Sequence, residues 1–376
     1  MLAEVSGAYI QDYFVQLEKG SADNLKVWVR LNDNKVNQEI TFSIPELKIR
    51  TTLKTNENGL AEISLKVKPQ LWTPENPKLY DINIAAPEDE VSDQIAFRTI
   101  ETQGKEILLN GKHIFLRGGV SIHEEAPYSQ GRAWSKEHAR TLLTWAKEMG
   151  CNYVRLAHYP HNENMVREAE KMGLMVWSEI PVYWTISFEN EATYQNAQRQ
   201  LHDMIYRDKN RANVIIWSIA NETPHSDARD KFLSRLATYA RTQDNTRLIS
   251  MAMEVTEAPN NLNRLDDNMN EYVDIISFNQ YVGWYRATNE DARKMKWEVP
   301  YNKPVIISEF GGDALKGGLH GDKTERWTEE YQEELYIRNL EMLDQIDGLS
   351  GLSPWILVDF LSPTTPVAPY TGLVQP

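Results

Sequence analysis

Residues 214–222 read VIIWSIANE, and this stretch indicates how most of the chain folds. An apolar run rich in Val and Ile is typical of a strand that is buried on both faces, as in a parallel sheet. The run stops on Asn221 and Glu222, so a carboxylate directly follows the C-terminal end of the predicted strand. Barrels of alternating strands and helices carry their catalytic groups at that end. A lone Glu there is more often a solvated strand end, so a second carboxylate in matching context must decide between the two interpretations.

Further apolar segments flank this strand, and helical patterns fill most of the gaps between them. In SKEHARTLLTWAKEMG, a helix is predicted to begin after the N-cap Ser135, to carry Leu142, Ala146 and Met149 on one face, and to end at Gly150. The eight predicted strands are IFLRGG (114–119), NYVRL (152–156), LMVWSE (174–179), VIIWSIA (214–220), RLISMAM (247–253), VDIISFN (273–279), PVIISEF (304–310) and LSPWILV (352–358).

Eight such units in about 250 residues predict a (β/α)8 TIM barrel for residues 99–376. The chain departs from this pattern after the eighth predicted strand. Residues 359–376, DFLSPTTPVAPYTGLVQP, contain four prolines and no helical period. The last helix of the barrel is therefore predicted to be missing.

Residues 1–98 have a different period. Apolar and polar residues alternate in NLKVWVRL (24–31), AEISLKVK (61–68) and YDINI (80–84), and turn signals such as NENG separate these segments. Period-2 strands between turns are typical of an antiparallel sheet with one buried face. We therefore predict an immunoglobulin-like β-sandwich ahead of the barrel.

The second carboxylate is Glu309. In VIISEFGGDA, another short apolar strand, the seventh, ends on this residue. Strands four and seven lie opposite each other in an eight-stranded barrel, so Glu222 and Glu309 are predicted to point into one mouth. Paired carboxylates at such a site are what glycoside hydrolysis requires, with a separation of about 5–5.5 Å for retention of configuration and about 6.5–9.5 Å for inversion. The pair favours catalysis over the solvated strand end.

The two glutamates are predicted to have different roles. Two nearby carboxylates resist ionising together, so the pKa of Glu222 is expected to be raised while Glu309 is ionised. Glu222 is then the acid/base and Glu309 the nucleophile. Asn221, next to the acid, is placed to hydrogen-bond a sugar hydroxyl.

Composition excludes several other classes of function. A formal net charge of −14 argues against a nucleic-acid partner or an anionic membrane surface. Cys151 is the only cysteine, so there is no disulfide framework, and its apolar context favours a buried structural thiol over a nucleophile. No run of 18 apolar residues predicts a membrane span. No ligand spacing indicates a metal site, and no cofactor is expected.

At these residues the chain resembles glycoside hydrolase family 2, most closely its β-glucuronidase branch, with β-galactosidases as relatives. The resemblance covers nearly the whole length. The segments that carry it, in the order of the family, are LWTPENPKLYDINI, FRTIE, LLNGKHIFLRGGVSIHEE, NYVRLAHYPHN, WSIANE, FNQYVGWY and ISEFGG. It implies retaining chemistry with the same assignment of the two glutamates. It also implies sugar-contact roles for His123, Glu125, His158, Asn221, Tyr281, Tyr285 and Trp355.

Two of the aromatic and histidine assignments have structural alternatives. For His158, in the segment AHYP, a structural role in holding its loop is nearly as favoured as a contact with the sugar. For Trp184, in PVYW, core packing and a contact at the rim of the mouth are equally favoured. Tyr281 is expected to steer the nucleophile, and Trp355 to form the floor of the pocket against the apolar face of the sugar.

The chain departs from the family in two respects. Members usually begin with a jelly-roll sugar-binding domain, which nothing here encodes, so a fragment or a short member is expected. β-Glucuronidases of the family hold the sugar carboxylate with an Asn-x-Lys element shortly after the Trp of strand eight. Residues 361–376 contain no Asn, Lys or Arg, and an anionic sugar needs a local cation.

The sequence thus predicts a retaining exo-β-glycosidase that hydrolyses terminal β-linked sugars, with β-glucuronides as the leading substrates. The first alternative is a β-galactosidase, and the second is a truncated barrel that binds sugar with weak or no turnover. A carbohydrate is the expected partner, and an oligomer is neither predicted nor excluded. The expected location is cytoplasmic if residue 1 is the natural start, and periplasmic or secreted if an N-terminal part has been lost.

Overall fold

The computed structural model describes residues 7–125, 132–315, 321–361 and 373–374. These residues form a β-sandwich followed by a barrel of parallel strands, as the two sequence patterns predict. None of the helices in these ranges combines the length and the apolar character that crossing a membrane requires.

Alternating side chains build the sandwich. Its strands are β1 (Ile10–Leu17), β2 (Asn24–Leu31), β3 (Glu39–Ile44), β4 (Ile49–Lys54), β5 (Leu60–Lys66), β6 (Tyr80–Ala85) and β7 (Glu90–Ile95). One antiparallel sheet has the order β1-β2-β5 and the other β4-β3-β6-β7. In β2, Leu25, Val27 and Val29 are fully buried and Arg30 is exposed, so the predicted inward face is confirmed. Seven strands around one apolar core fit the immunoglobulin-like architecture.

A small sheet and one arginine connect the sandwich to the barrel. The sheet consists of β8 (Ile100–Gln103), β9 (Glu106–Leu109) and β10 (Lys112–His113). Arg98 is buried and donates hydrogen bonds to the carbonyl oxygens of Ala212, Val214 and Thr246 at 3.0, 2.9 and 3.1 Å. These carbonyls lie at the N-terminal ends of two barrel strands, so the sandwich is fixed at the end opposite to the predicted catalytic mouth. The boundary between residues 98 and 99 stays a prediction.

Among the described residues, eight parallel strands in chain order form the barrel. The strands after β10 are β11 (Val120–Ile122), β12 (Tyr153–Leu156), β13 (Met175–Glu179), β14 (Val214–Asn221), β15 (Leu248–Met253), β16 (Thr256–Ala258), β17 (Leu262–Arg264), β18 (Ile276–Asn279), β19 (Lys296–Glu298), β20 (Val305–Glu309), β21 (Leu349–Leu352), β22 (Phe360–Leu361) and β23 (Leu373–Val374). The barrel order is β11-β12-β13-β14-β15-β18-β20-β21, while β16, β17 and β19 form a separate small sheet. A parallel bridge between Leu116 and Gly351 joins the two ends of the barrel sheet.

Five α-helices in the described ranges cover the barrel, and the prediction for the first of them is correct except at one residue. They are α1 (Lys136–Glu148), α2 (Glu163–Met172), α3 (Glu191–Asp208), α4 (Asp227–Gln243) and α5 (Glu329–Leu343). Ser135 caps α1 by accepting a hydrogen bond from the backbone N–H of His138. Met149, expected on the buried face, is 61% exposed because it lies past the last helical turn. In the described residues that follow β21 there is no helix, and most of residues 359–376, for which the last helix is predicted to be missing, lie outside the described ranges.

The first and last barrel strands lie elsewhere than predicted. The segment IFLRGG contributes an isolated bridge at Leu116 and no continuous strand, because Gly118 has a left-handed φ of 61°, which interrupts the extended backbone. The strand therefore starts at Val120. The last strand ends before Pro354, which has no N–H to donate to a ladder, so most of LSPWILV lies beyond it.

Candidate active site

Glu222 directly follows β14 and has a left-handed backbone conformation with a φ of 48°. Its side chain is half-buried, and its Oε1 accepts a hydrogen bond from Asn279 Nδ2 at 2.7 Å. Its Oε2 accepts one from Trp184 Nε1 at 3.0 Å. Burial and the negative charge of Glu309 raise the pKa of Glu222 above the ordinary value of 4.5. The group is therefore suited to hold a proton at a pH where an exposed glutamate is ionised.

Glu309 is the last residue of β20 and is 5% exposed. Its Oε1 accepts a hydrogen bond from Arg155 Nη1 at 2.6 Å, and its Oε2 accepts one from the Tyr281 hydroxyl at 2.7 Å. His158 Nε2 lies 3.7 Å from the same Oε1. Burial and the charge of Glu309 raise the pKa of Tyr281 well above 10, so this phenol remains a donor. The two donors fix the orientation of the carboxylate from both sides.

A third carboxylate, Glu179, supports the site and was not predicted. It ends β13 and is almost fully buried. Arg155 donates two hydrogen bonds to it, both at 3.1 Å, and Trp177 Nε1 donates one at 2.8 Å. Burial alone would raise the pKa of Glu179, but the charge of Arg155 and the contact with His158 lower it to about 2. The signal was present in the sequence, because LMVWSE also ends an apolar strand on a Glu.

Two asparagines join the predicted acid to the predicted nucleophile. Asn221 Oδ1 accepts hydrogen bonds from Arg155 Nη2 at 2.8 Å and from Asn279 Nδ2 at 3.2 Å. Asn279 Nδ2 also contacts Glu222, and Arg155 contacts Glu309. Hydrogen bonds thus run from Glu222 through Asn279, Asn221 and Arg155 to Glu309, and we call these five side chains the relay. Arg155 and Asn279 were not predicted.

His158 belongs to the site through both of its ring nitrogens. Its Nδ1 lies 2.7 Å from Glu179 Oε1, and its ring stacks on Trp355 with centroids 5.0 Å apart. Trp355 is only 6% exposed. His158 therefore supports the carboxylates below it and the indole beside it, so its structural role and its place in the mouth are compatible.

His123 and Glu125 form an adjoining pair at the end of β11. The His123 Nδ1 lies 3.4 Å from Glu125 Oε2, and the His123 ring contacts Trp355 edge to face at 5.4 Å. Burial alone would raise the pKa of Glu125, but hydrogen bonds from His123 and Tyr159 help lower it to about 2. Arg132 Nε also donates to Glu125 at 2.8 Å. His123 Nε2 is buried and has no hydrogen-bond partner within the described ranges.

Two aromatic residues form the rim of the mouth. Trp184 is 62% exposed and donates to Glu222, so it is a rim residue and does not pack in the core. Tyr285 is 67% exposed and meets Tyr281 edge to face at 5.0 Å. Burial and the nearby Asp313 raise the pKa of Tyr285 to about 12. Asp313, which was not predicted, is itself buried, and burial together with Asp359 raises its pKa to about 8.

The predicted residues therefore meet at the C-terminal end of the barrel. The relay joins Glu222, Asn221 and Glu309, and Tyr281 and His158 contact the last of these. His123, Glu125, Trp355 and Tyr285 are linked to this centre by ring contacts or ion pairs. In the described part of the chain, no three His, Cys, Asp or Glu side chains are grouped to hold a metal ion.

Comparison with protein families gives two adjacent matches. A model described as "Glycosyl hydrolases family 2, TIM barrel domain" matches residues 100–348, and one described as "Glycosyl hydrolases family 2" matches residues 8–98. A curated β-glucuronidase from Paenibacillus borealis is 28% identical over 394 residues, which cover 96% of this chain and 62% of that protein.

Solved structures give the same family. A β-D-glucuronidase for Dictyoglomus thermophilum has a TM-score of 0.78 and 27% identity, covering 97% of this chain and 65% of that one. A β-galacturonidase from Eisenbergiella tayi bound to galacturonate has a TM-score of 0.78 over 94% of this chain and 65% of that one, and at 24% identity it shows the fold alone. The chain spans less than two thirds of each relative named here.

Proposed function

The chain belongs to glycosyl hydrolase family 2, and from that membership we propose that it is a retaining exo-β-glycosidase acting on terminal β-linked sugars. The observation that carries this proposal is the unequal environment of two carboxylates at one mouth. Glu309 is held between Arg155 and Tyr281, whereas burial and Glu309 raise the pKa of Glu222. Glycoside hydrolysis requires such a division between a nucleophile and an acid.

The proposed reaction has two displacements. Glu222 donates its proton to the glycosidic oxygen as the bond from that oxygen to C1 breaks, and the Glu309 carboxylate forms a bond to C1. Glu222, now ionised, then takes a proton from a water molecule that attacks C1 and releases Glu309. In this proposal Asn221, a member of the relay, hydrogen-bonds a sugar hydroxyl. The buried Nε2 of His123, which has no partner among the described residues, offers another contact.

β-Glucuronides are the leading substrates in this proposal, because the similar proteins named above include β-glucuronidases from two bacteria. β-Galactosides are the second candidate. The observation that favours them is that residues 361–376 contain no Asn, Lys or Arg to hold a sugar carboxylate. The carbohydrate is the only partner that we propose.

A substrate comparison tests the proposal. Purified protein is assayed with p-nitrophenyl β-glucuronide and β-galactoside, and the configuration of the first-formed sugar is read by proton NMR. We expect cleavage of one of the two with a β-anomer as the initial product. An α-anomer would exclude retention. No cleavage of either by protein with a cooperative thermal transition would favour the truncated barrel that binds without turnover.

The pH dependence of kcat/KM follows from the raised pKa of Glu222. The acid must be protonated, so activity is present below its folded pKa and is lost as the pH rises through that value. We expect this alkaline limb at a higher pH than an exposed carboxyl near 4.5 would give. In Glu222→Gln the alkaline limb should be absent. The activity of this variant is measured with a 2,4-dinitrophenyl glycoside, because this leaving group departs without a proton. An unchanged limb in Glu222→Gln would assign it to another group.

A further inference from the structure

A cavity of about 180 Å³ opens beside Glu222 at the ends of β15 and β18. Glu222, Tyr281 and Tyr285 line it on the side of the proposed active site. Glu309 and Trp355 are not among its lining residues. The cavity thus borders the proposed proton donor but neither the proposed nucleophile nor the indole floor. In the proposed reaction the leaving group departs next to the proton donor, which is where this cavity lies.

Charged side chains make up the far wall of this cavity. Arg286 Nη1 donates to Glu257 Oε1 at 2.6 Å and to Asn263 Oδ1 at 2.8 Å. Within the described part of the chain, Arg286 Nη2 has no hydrogen-bond acceptor and Glu254 has no hydrogen-bond partner. The half-buried Glu254 and the free edge of the guanidinium therefore offer one acceptor and one donor to an occupant.

The lining also has a definite sign of charge. With Glu222 protonated, the charged side chains that line the cavity are two carboxylates, Glu254 and Glu257, and one guanidinium, Arg286, so the lining is net negative. An anionic occupant is disfavoured there, and the protein as a whole has a net charge of −14. The exposed ring of Tyr285 adds an apolar face of the kind on which the C–H groups of a pyranose pack.

We infer that this cavity is the leaving-group subsite and that it takes one uncharged sugar unit, held by Glu254 and Arg286 through its hydroxyls. The inference rests on the proposed function, since it assumes that Glu222 protonates the leaving group. The size of the cavity supports a single ring, because it is smaller than the roughly 300 Å³ at which pockets for drug-sized ligands begin. The natural substrates are then short β-linked saccharides in preference to conjugates of large or acidic aglycones.

The test varies the leaving group and keeps the sugar that the substrate comparison selects. The substrates are the p-nitrophenyl glycoside, the disaccharide in which that sugar is β1→3-linked to N-acetylgalactosamine, and the same disaccharide sulfated at O6 of the second ring. Arg286→Gln and Glu254→Gln are compared with the wild type. The matched control is Arg293→Gln, whose side chain is 61% exposed and pairs with Glu341 on the surface.

We expect each subsite variant to lower kcat/KM on the unsulfated disaccharide about tenfold, the loss expected for a hydrogen bond to a charged group. The p-nitrophenyl glycoside and the Arg293→Gln control should stay within about twofold. The wild type should cleave the sulfated disaccharide at least about tenfold more slowly than the unsulfated one. In Glu254→Gln this ratio of the two rates should be smaller, because one negative charge of the lining has been removed. Equal losses on all three substrates, or a preference for the sulfated one, would overturn the inference.

Binding separates this inference from the proposed function. If folded wild-type protein cleaves no glycoside, the proposed function fails. The subsite is then tested by calorimetric titration, which measures the Kd of the unsulfated disaccharide and of the methyl β-glycoside. A tenfold higher Kd for the disaccharide in Arg286→Gln, with an unchanged Kd for the methyl β-glycoside, supports the subsite. Equal Kd values in wild type and variant, or an equal loss for both probes, would sink it.

Discussion

In the proposed reaction, Glu309→Gln is expected to lower kcat for glycosides by about 10⁴-fold or more, because an amide cannot form the covalent bond to C1. The substitution is nearly isosteric, and the amide oxygen can still accept from Arg155 or from Tyr281. The fold should therefore persist. Initial rates with the p-nitrophenyl substrate measure the loss, and circular dichroism verifies the fold.

The complementary variant, Glu222→Gln, tests directly whether Glu309 is the proposed nucleophile. In Glu222→Gln the second displacement lacks its base, so a 2,4-dinitrophenyl glycoside should leave a sugar attached to Glu309, detectable by mass spectrometry of the peptide that contains it. Glu298→Gln, a surface change on β19 at a residue 44% exposed, is the matched control and should keep full activity. A label on another residue, or activity in Glu309→Gln above about one hundredth of the wild type, would remove Glu309 from this role.

Arg155→Met is expected to reduce the free energy of unfolding by about 3–5 kcal/mol, because it leaves Glu179 and Glu309 buried without their cation. Arg155 is fully buried and contacts both carboxylates. The pKa of Glu179 is lowered to about 2, so the stabilisation by this pair is present above the ordinary carboxyl pKa near 4.5 and is lost as the pH falls towards 2. The loss of unfolding free energy caused by Arg155→Met should become smaller over the same pH range.

Urea unfolding at neutral and acidic pH measures this effect. The control is Arg264→Met, because Arg264 pairs with Glu298 at 3.0 Å but both side chains are more than two fifths exposed. Exposed pairs contribute about 0–1 kcal/mol. The double variant Arg155→Met/Glu179→Gln should recover part of the loss by removing one uncompensated charge. Equal losses of unfolding free energy in Arg155→Met and Arg264→Met would show that the buried ion pair stabilises the fold no more than the exposed one does.

The fold and the centre of the site were accessible to sequence patterns because each has a regular signal. Alternation in NLKVWVRL fixes the inward face of β2, and an apolar run that ends on a carboxylate identifies both Glu222 and Glu309. The first and last barrel strands were misplaced because apolar composition does not distinguish a strand from a buried segment that glycine or proline keeps out of the ladder.

The remaining parts of the site have no periodic signal. Every residue of β12 is buried, so the pattern does not show that Arg155 points towards two carboxylates. Arg286 and Glu254 lie in loops, where sequence spacing does not determine side-chain contacts. Glu179 was the exception, since its signal equals that of the two glutamates that were identified.

The relay also constrains how this protein can change over evolutionary time. Neighbouring members of one hydrogen-bonded chain give non-additive mutational effects, so a replacement at Asn279 alters the consequence of one at Arg155. Compatible replacements within the relay must therefore arise together, and such paired replacements are expected to be rare. Tyr285 and Arg286 lie outside the relay, so single replacements at these two positions are separable from it. Diversification among relatives is therefore expected to concentrate at the rim, where a single replacement at Tyr285 or Arg286 would change the proposed leaving-group subsite and leave the relay intact.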